Sequence, residues 1–151
     1  MTDKPRIKLR WLGATDSDLA EIAAELNGPT WDVSIHNFSE QSLKEFLSDE
    51  NRFYVLGLLD DQISGAIHGY LYLHPTGVHY VWIDEVDVSA PQRQKGVAKT
   101  MMQGVLAWAK EHGADEAWLG TEDDNVAALA LYRSLNPTEV ENGPTFSWKM
   151  K

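Results

Sequence analysis

The chain has 151 residues, of which 43% are hydrophobic and 24% charged, and these values are typical of one soluble globular domain spanning residues 1–151. Its 13 Lys and Arg residues against 23 Asp and Glu residues give a formal net charge of −10, which disfavours binding to nucleic acid or to anionic membranes. The absence of cysteine excludes disulfide bonds, thiolate metal sites and a cysteine nucleophile.

The N-terminal sequence MTDKPRIKLRW has cations but lacks the apolar segment of a signal peptide. No window approaches the roughly 18 apolar residues of a membrane span. The lack of cysteine fits a cytoplasmic protein, which is the expected location. Alternating apolar positions over residues 6–12 predict a first strand. Thr15 or Asp16 is the expected N-cap of a first helix, whose apolar face consists of Leu19, Ile22, Ala23 and Leu26.

The middle of the chain predicts a second short helix and three strands. Residues 30–38 read as a loop, after which Ser39 caps a helix with apolar positions at Leu43, Phe46 and Leu47. Extended segments follow at 52–60, 62–74 and 79–88. Asp60 and Asp61 predict a tight turn between the first two of these segments.

Apolar spacing over residues 96–112 predicts a longer helix that Gly113 ends. A short buried strand (116–121), a helix (125–135) and two extended pieces around Asn142-Gly143-Pro144 complete the predicted order. A strand that leads through a helix to another strand implies a parallel pair, whereas hairpins imply antiparallel neighbours. The predicted fold class is therefore α/β, with a mixed, mostly antiparallel central sheet flanked by helices.

The segment QRQKGVAK, residues 92–99, places three cations around Gly96 in an otherwise acidic chain. Where a strand leads into a helix, the first amides of the helix lack partners and the helix dipole adds positive charge. Gly96 also removes a side chain where the backbone must approach a ligand. The segment therefore predicts an anion site suited to a diphosphate, the alternative being a basic helix start on a solvated surface.

Arg93 to Ala98 matches R/Q-x-x-G-x-G/A, the pyrophosphate loop of the GCN5-related N-acetyltransferase (GNAT) superfamily. The chain resembles this superfamily also in the strand WIDEVDVSAPQ and in N-x-x-A-x-x-x-Y, formed by Asn125, Ala128 and Tyr132. The resemblance implies the GNAT fold, with acetyl-CoA as co-substrate and no metal.

Within the superfamily, the chain most resembles the aminoglycoside 3-N-acetyltransferases, in I-x-x-V-x-V-S, in R-Q-x-G-[IV]-A and in an acidic helix start, here Asp123-Asp124-Asn125 to Tyr132. A departure is Asn136-Pro137, where relatives have Gly-Phe. Asn tolerates the left-handed conformation, so the turn is expected to persist. Relatives are commonly dimers, so the resemblance also raises a homodimer as an expectation.

The resemblance assigns coenzyme binding to Val86, Asp87, Val88, Arg93, Gln94, Lys95, Gly96, Val97, Ala98, Lys99, Asn125, Ala128 and Tyr132. It implies that backbone groups of residues 86–88 pair with the pantetheine arm, with the Val88 amide facing the acetyl oxygen. Asn125 is expected to hold the pantetheine or simply to cap its helix. Tyr132 is the expected general acid, or else a core aromatic.

Acetyl transfer requires a neutral amine, yet primary amines have pKa values near ~10 and are mostly protonated at pH 7. A nearby carboxylate that takes the proton contributes about 10²–10⁴-fold. Asp84, Glu85 and Asp87 lie on the strand before the loop, with Asp84 alternating to the face of Val86 and the other two to the opposite face unless a bulge intervenes. The resemblance implies Glu85 as the favoured base and Asp84 as the second candidate. The alternative is that these acids are solvated charges at the edge of the strand.

The expected acceptor pocket consists of Trp31, Asp32, His36, Trp82, Glu85, Glu122, Asp123 and Asp124. Indole faces attract cations and carboxylates accept ammonium hydrogen bonds, although each Trp has core packing as its alternative. His36, His74 and His79 lack ligand spacing, so no metal site is predicted.

The sequence as a whole predicts an N-acetyltransferase of a small cationic amine, with an aminoglycoside and its 3-N amine implied by the resemblance. A protein amine, a polyamine and an amino acid are alternative acceptors. A different class of function, a sensor that binds acyl-CoA without catalysing a reaction, is a further alternative.

Overall fold

The computed structural model of the chain describes residues 6–32 and 37–151. The strands are β1 (Ile7–Trp11), β2 (Arg52–Leu59), β3 (Gln62–Leu73), β4 (His79–Val88) and β5 (Glu116–Leu119). The helices are α1 (Leu19–Leu26), α2 (Glu40–Leu47), α3 (Val97–Glu111) and α4 (Val126–Ser134), with a 3₁₀ turn at Ala90–Gln92. The chain divides into two compact units between Gly120 and Thr121, and the single domain stays a prediction.

The five strands form one sheet in the order β1-β2-β3-β4-β5. Neighbours are antiparallel except β4 and β5, which are parallel, so the predicted mixed sheet is confirmed. Asp60 and Asp61 have φ values of 48° and 66°, the left-handed pair that a two-residue hairpin needs. The predicted burial of β5 is wrong: it is an edge strand, and Trp118 on it is 37% exposed.

Helices α1 and α2 pack on one face of the sheet. Both predicted helices and their apolar positions are confirmed, and the buried cluster includes Leu19, Ile22, Ala23, Leu26 and Leu43 of the helices with Tyr54, Leu56 and Ala66 of the sheet. Ser39 caps α2 as predicted, with its side chain accepting from the Ser42 amide.

The predicted N-cap of α1 is wrong, because the helix begins after Asp18 rather than after Thr15 or Asp16. The Asp18 carboxylate does not cap the helix, since it accepts two hydrogen bonds of 2.7 Å from the Arg10 guanidinium. These bonds hold the pKa of the Asp18 carboxyl below its usual range. An ion pair with Arg10 of β1 thus takes the place of a side-chain cap.

Helix α3 packs on the opposite face, through Val97, Met101, Met102, Val105 and Ala109. Its first turn lies on Gly57 and Gly65, which are partners on β2 and β3. A Cβ at Gly65 would lie 2.6 Å from Val97 Cγ1 and 2.7 Å from Met101 Cε. The two glycines therefore let the start of α3 approach the sheet closely.

In the second unit, the Asn125 side chain caps α4 by accepting from the Ala128 amide at 3.1 Å. Asn136 has a φ of 55°, so the expected left-handed turn is confirmed. The two predicted terminal strands are wrong, since no strand forms in the described residues after α4. The alternation of Phe146, Trp148 and Met150 is typical of a strand, but an alternating pattern forms no ladder without a partner strand.

We expect Gly65→Ala to destabilise the protein by about 1–3 kcal/mol, because the added methyl group must displace Val97 and Met101. Urea unfolding followed by circular dichroism measures this change. Gly143→Ala is the matched control, since a Cβ there meets nothing within 4 Å. Equal midpoints for the two variants would contradict the close packing of α3.

Candidate active site

Strand β4 contains a bulge at Asp84. The pairing with β3 passes from Gly69 opposite Ile83 to His68 opposite Glu85, so Asp84 is an extra residue on β4. A side chain at Gly69 would overlap the carbonyl oxygen of Trp82, which explains the glycine opposite the bulge. Because one residue is inserted, Glu85 lies on the same face of the sheet as Trp82.

Glu85 is held by a histidine that sequence reasoning missed. His68 Nε2 lies 3.1 Å from Glu85 Oε2, and His68 Nδ1 lies 4.0 Å from Asp84 Oδ2. The imidazole stacks on Tyr54, with centroids 5.3 Å apart and planes 9° apart, and meets the Phe46 ring edge-on at 5.6 Å. The side chain of His68 is 17% exposed and that of Glu85 30%, so the carboxylate is both fixed and reachable from solvent.

The ring of Tyr54 lies against the His68–Glu85 pair, stacked on the imidazole of His68. Burial raises the pKa of the Tyr54 phenol, and the negative charges of Asp87 and Glu85 raise this pKa further. The phenol is therefore neutral at physiological pH, and it contributes a rigid ring for His68 rather than a proton acceptor.

Strands β4 and β5 pair from Tyr80 and Glu116 to Ile83 and Leu119. Strand β4 continues to Val88, so the bulge and Glu85 lie just beyond the end of the parallel ladder. On the other edge of β4, Val86 and Val88 pair with β3. The residues predicted to meet the pantetheine arm thus lie directly after the point where β4 and β5 part.

The loop from β4 to α3 exposes a run of backbone amides. Gln94 and Gly96 have φ values of 62° and 86°, and left-handed residues of this kind turn successive N–H groups toward a common concavity. In the ranges that the structure describes, the amides of residues 94–99 have no hydrogen-bond acceptor, and Thr100 is the first to bond, to Gly96 O at 3.0 Å. These amides point to an anion site at the start of α3.

The cations of the loop reinforce this site. Arg93 Nε donates to Val88 O at 3.3 Å and Lys95 Nζ to Gln92 Oε1 at 3.0 Å. Neither these two residues nor Lys99 forms an ion pair with any carboxylate of the described chain. Cations beside the positive end of a helix repel it, so a bound anion such as a diphosphate relieves an unfavourable arrangement.

Hydrogen bonds join the start of this loop to the segment after α1. Ser89 Oγ donates to Thr30 Oγ1 at 2.9 Å, and the Ala90 amide donates to Thr30 O at 2.9 Å. Trp31, a predicted acceptor residue, is only 4% exposed and belongs to the buried cluster. The burial of Trp31 supports the alternative that this residue packs in the core. Asp32 is exposed, and His36 lies outside the described residues.

The other predicted site residues belong to the second unit. Glu122, Asp123 and Asp124 are exposed and precede α4, and Asn125 takes the role of its N-cap. Tyr132 is half-buried. Its role as the acid stays a prediction.

Sequence alternation could have singled out His68, because Ala66, His68 and Tyr70 share one face of β3. Its contact with Glu85 could not be predicted, since that contact depends on the bulge. Within residues 6–32 and 37–151, no three His, Asp or Glu side chains are grouped to hold a metal ion. The same ranges contain no helix with the length and apolarity of a membrane span.

The sequence profile of the acetyltransferase (GNAT) family matches residues 18–136, more than half of the chain, and the chain belongs to this family. N-acetyltransferase 8B of Rattus norvegicus is 24% identical over 119 residues, which cover 77% of this chain and 53% of that protein. The chain thus spans about half the length of this relative.

Solved structures confirm the predicted GNAT fold. An aminoglycoside acetyltransferase, meta-AAC0020, from an uncultured soil metagenomic sample, in complex with sisomicin, has a TM-score of 0.79 at 19% identity over 96% of this chain and 97% of that one. Aminoglycoside N-acetyltransferase AAC(6')-Iy in complex with CoA has a TM-score of 0.76 at 17% identity, covering 99% of each chain. A transcriptional regulator from Bacillus halodurans C-125 has a TM-score of 0.75 at 20% identity over 95% of this chain and 100% of that one.

We expect Gly96→Ala to weaken coenzyme A binding about tenfold, because the alanine lets the free loop relax out of the left-handed conformation, and regaining that conformation to turn the amides toward the ligand costs about 1–2 kcal/mol. Isothermal titration calorimetry with coenzyme A measures the loss. Gly113→Ala is the matched control, since Gly113 has a similar φ of 76° at the other end of α3. Equal affinities for the two variants would contradict the anion site.

Proposed function

We propose that the protein transfers the acetyl group of acetyl-CoA to a primary amine of a small polycationic acceptor. One observation carries this proposal: Glu85 is fixed by His68 at 3.1 Å, directly beyond the point where β4 and β5 part. A carboxylate so placed has a fixed direction and a path to solvent.

The loop residues fit the coenzyme. The unbonded amides of residues 94–99, with Arg93, Lys95 and Lys99, would hold the pyrophosphate, and the backbone of residues 86–88 would receive the pantetheine arm. Acetyl-CoA supplies a thioester carbonyl that is reactive toward amines. The exposed backbone at Gly96 leaves room for this approach, since a Cβ there would meet only Ile7 Cδ1, at 3.8 Å.

Glu85 acts as the base. It takes a proton from the incoming ammonium group, directly or through a water molecule, so that the neutral nitrogen attacks the thioester carbon. The C–N bond forms, the C–S bond breaks, and the departing thiolate receives a proton, for which Tyr132 is the proposed donor. The second amine proton leaves to solvent, and the products are an amide and the free thiol.

His68 acts as a positioning residue for Glu85. An ionised carboxylate only accepts hydrogen bonds, so His68 donates through Nε2–H. Stacking on Tyr54 and the edge contact with Phe46 keep the imidazole from turning. The Glu85 carboxylate is thereby held in one orientation, with Asp84, which is more exposed, as a second acid beside it.

An aminoglycoside, acetylated at its 3-N amine, is the first acceptor to test. Aminoglycosides are polycations and complement a chain with a net charge of −10. Two of the structural neighbours described above are aminoglycoside acetyltransferases, one of them in complex with sisomicin. Polyamines and lysine-rich peptides share the charge and form the rest of the panel.

We expect Glu85→Gln to lower kcat by about 10²–10³-fold while the KM for acetyl-CoA stays within twofold, because only proton removal is lost. His68→Ala should lower kcat roughly tenfold, and His68→Gln should recover most of it, because the Gln amide can still donate to Glu85. A thiol-release assay with gentamicin, sisomicin, spermidine and a lysine-rich peptide measures these rates. Equal kcat for wild type and Glu85→Gln would remove Glu85 from the reaction.

Tyr132→Phe should lower kcat about tenfold or more and leave coenzyme A affinity unchanged, because only the hydroxyl proton is removed. The same assay and calorimetry separate these two effects. Tight coenzyme A binding without turnover of any amine in the wild type would favour the acyl-CoA sensor instead.

A further inference from the structure

Aromatic side chains continue along the sheet from Glu85. On β3, Tyr70 follows His68 by two residues and therefore shares its face. Tyr70 pairs with Trp82 of β4, which pairs in turn with Trp118 of β5. The next row pairs Tyr72 with Tyr80, and Tyr80 with Glu116. The five rings of Tyr70, Tyr72, Tyr80, Trp82 and Trp118 form what we call the aromatic platform.

Most of the platform is exposed, although its residue types usually pack in cores. Tyr70, Trp82 and Trp118 are 41%, 36% and 37% exposed, and Tyr72 is 47% exposed. Helices α1 and α2 cover the neighbouring part of this face, over Tyr54, Leu56 and Ala66. The exposed rings therefore begin where the helical cover ends, adjacent to the His68–Glu85 pair.

Carboxylates lie at both ends of the platform. Glu85 and Asp84 border it at the bulge, and Glu116 lies in its far row, where Glu116 Oε2 accepts from Trp118 Nε1 at 2.8 Å. Arg52 shares the row of Tyr70, but its charge is met by Asp49 at 3.7 Å and by the Phe46 ring. The platform is thus an apolar and π-rich surface bounded by negative charge.

The length of the platform sets the size of a ligand. From His68 to Tyr72 the chain advances four residues along β3, which corresponds to roughly 13 Å of strand. An acceptor whose reacting nitrogen meets Glu85 would therefore place a second cation near Glu116. The segment between the two cations would lie over the indole and phenol rings, which attract both cations and weakly hydrated carbon.

We propose that the aromatic platform binds the non-reacting end of the acceptor, and that the preferred acceptors are elongated amines with a second ammonium group roughly 10–13 Å from the acetylated nitrogen. This inference rests on the proposed function, because Glu85 defines where the reacting amine lies. Trp82 and Trp118 are specificity-determining residues on this account, and Glu116 is the terminal carboxylate.

A matched pair of probes tests the inference by binding, without turnover. 1,8-Diaminooctane and 1-aminooctane have the same chain, but only the diamine can place a second ammonium at Glu116. Calorimetry in the presence of coenzyme A should show tighter binding of the diamine to the wild type. Glu116→Gln should weaken diamine binding about tenfold and leave 1-aminooctane binding within twofold, because only the diamine reaches the carboxylate. Trp118→Leu should weaken binding of the diamine about tenfold and also weaken binding of 1-aminooctane, whose carbon chain lies over the same ring, whereas Trp118→Phe should keep most of the affinity.

Trp11→Leu is the matched control, because Trp11 is 38% exposed but packs against Trp108 of α3 on the other face. It should leave both affinities unchanged, and circular dichroism checks that every variant is folded. Equal binding of the two amines to the wild type, or an unaltered diamine affinity in Trp118→Leu, would overturn the platform. Conversion of a dimer to a monomer by Trp118→Leu in sedimentation experiments would overturn it in favour of a second copy of the chain.

The experiments distinguish a failure of the aromatic platform from a failure of the proposed acetyltransferase function. Turnover of simple monoamines with no effect of the platform variants on the diamine would refute the platform and leave the acetyltransferase standing. Selective loss of diamine binding in a protein that acetylates no amine would support the platform and refute the proposed reaction.

Discussion

The close approach of the Trp82 carbonyl to Gly69 lets β4 hold one residue more than β3 between Ile83 and Glu85. The candidate site depends on this insertion. In a regular strand, Glu85 would alternate away from the face of Trp82 and toward the side of α3. With Asp84 inserted, Glu85 instead meets His68, and the same face carries a candidate base, its positioning partner and the aromatic platform.

A second close approach positions the loop that is proposed to hold an anion. Gly57 and Gly65 allow Val97 and Met101 to lie against the backbone of the sheet, so the first turn of α3 begins next to the end of β4. This turn and the loop before it carry unbonded amides and the cations Arg93, Lys95 and Lys99, which form no ion pair with a carboxylate of the described chain. An arrangement that costs stability in the free protein gains favourable contacts when an anion binds, which is typical of binding sites rather than of helix starts chosen for stability.

Most elements follow from local patterns, since the periodicity of apolar residues, the Ser39 cap and the Asp60-Asp61 turn each act over a few residues. The predictions failed where a distant partner decided the outcome. Helix α1 begins after Asp18, whose side chain pairs with Arg10 of β1 instead of capping the helix. The alternating residues after α4 form no strand, because alternation indicates a suitable face without providing a partner.

The sequence by itself determined the family and the strand that carries the acids, and it predicted a loop suited to a diphosphate, because these features are written in contiguous residues. Only the tertiary structure decided which acid meets a partner, since the bulge at Asp84 changes the face of Glu85 without a distinctive local signal. It likewise decided that Trp31 is buried while Trp82 and Trp118 stay exposed. The burial of a side chain depends on what packs over it, and that is set by elements far away along the chain.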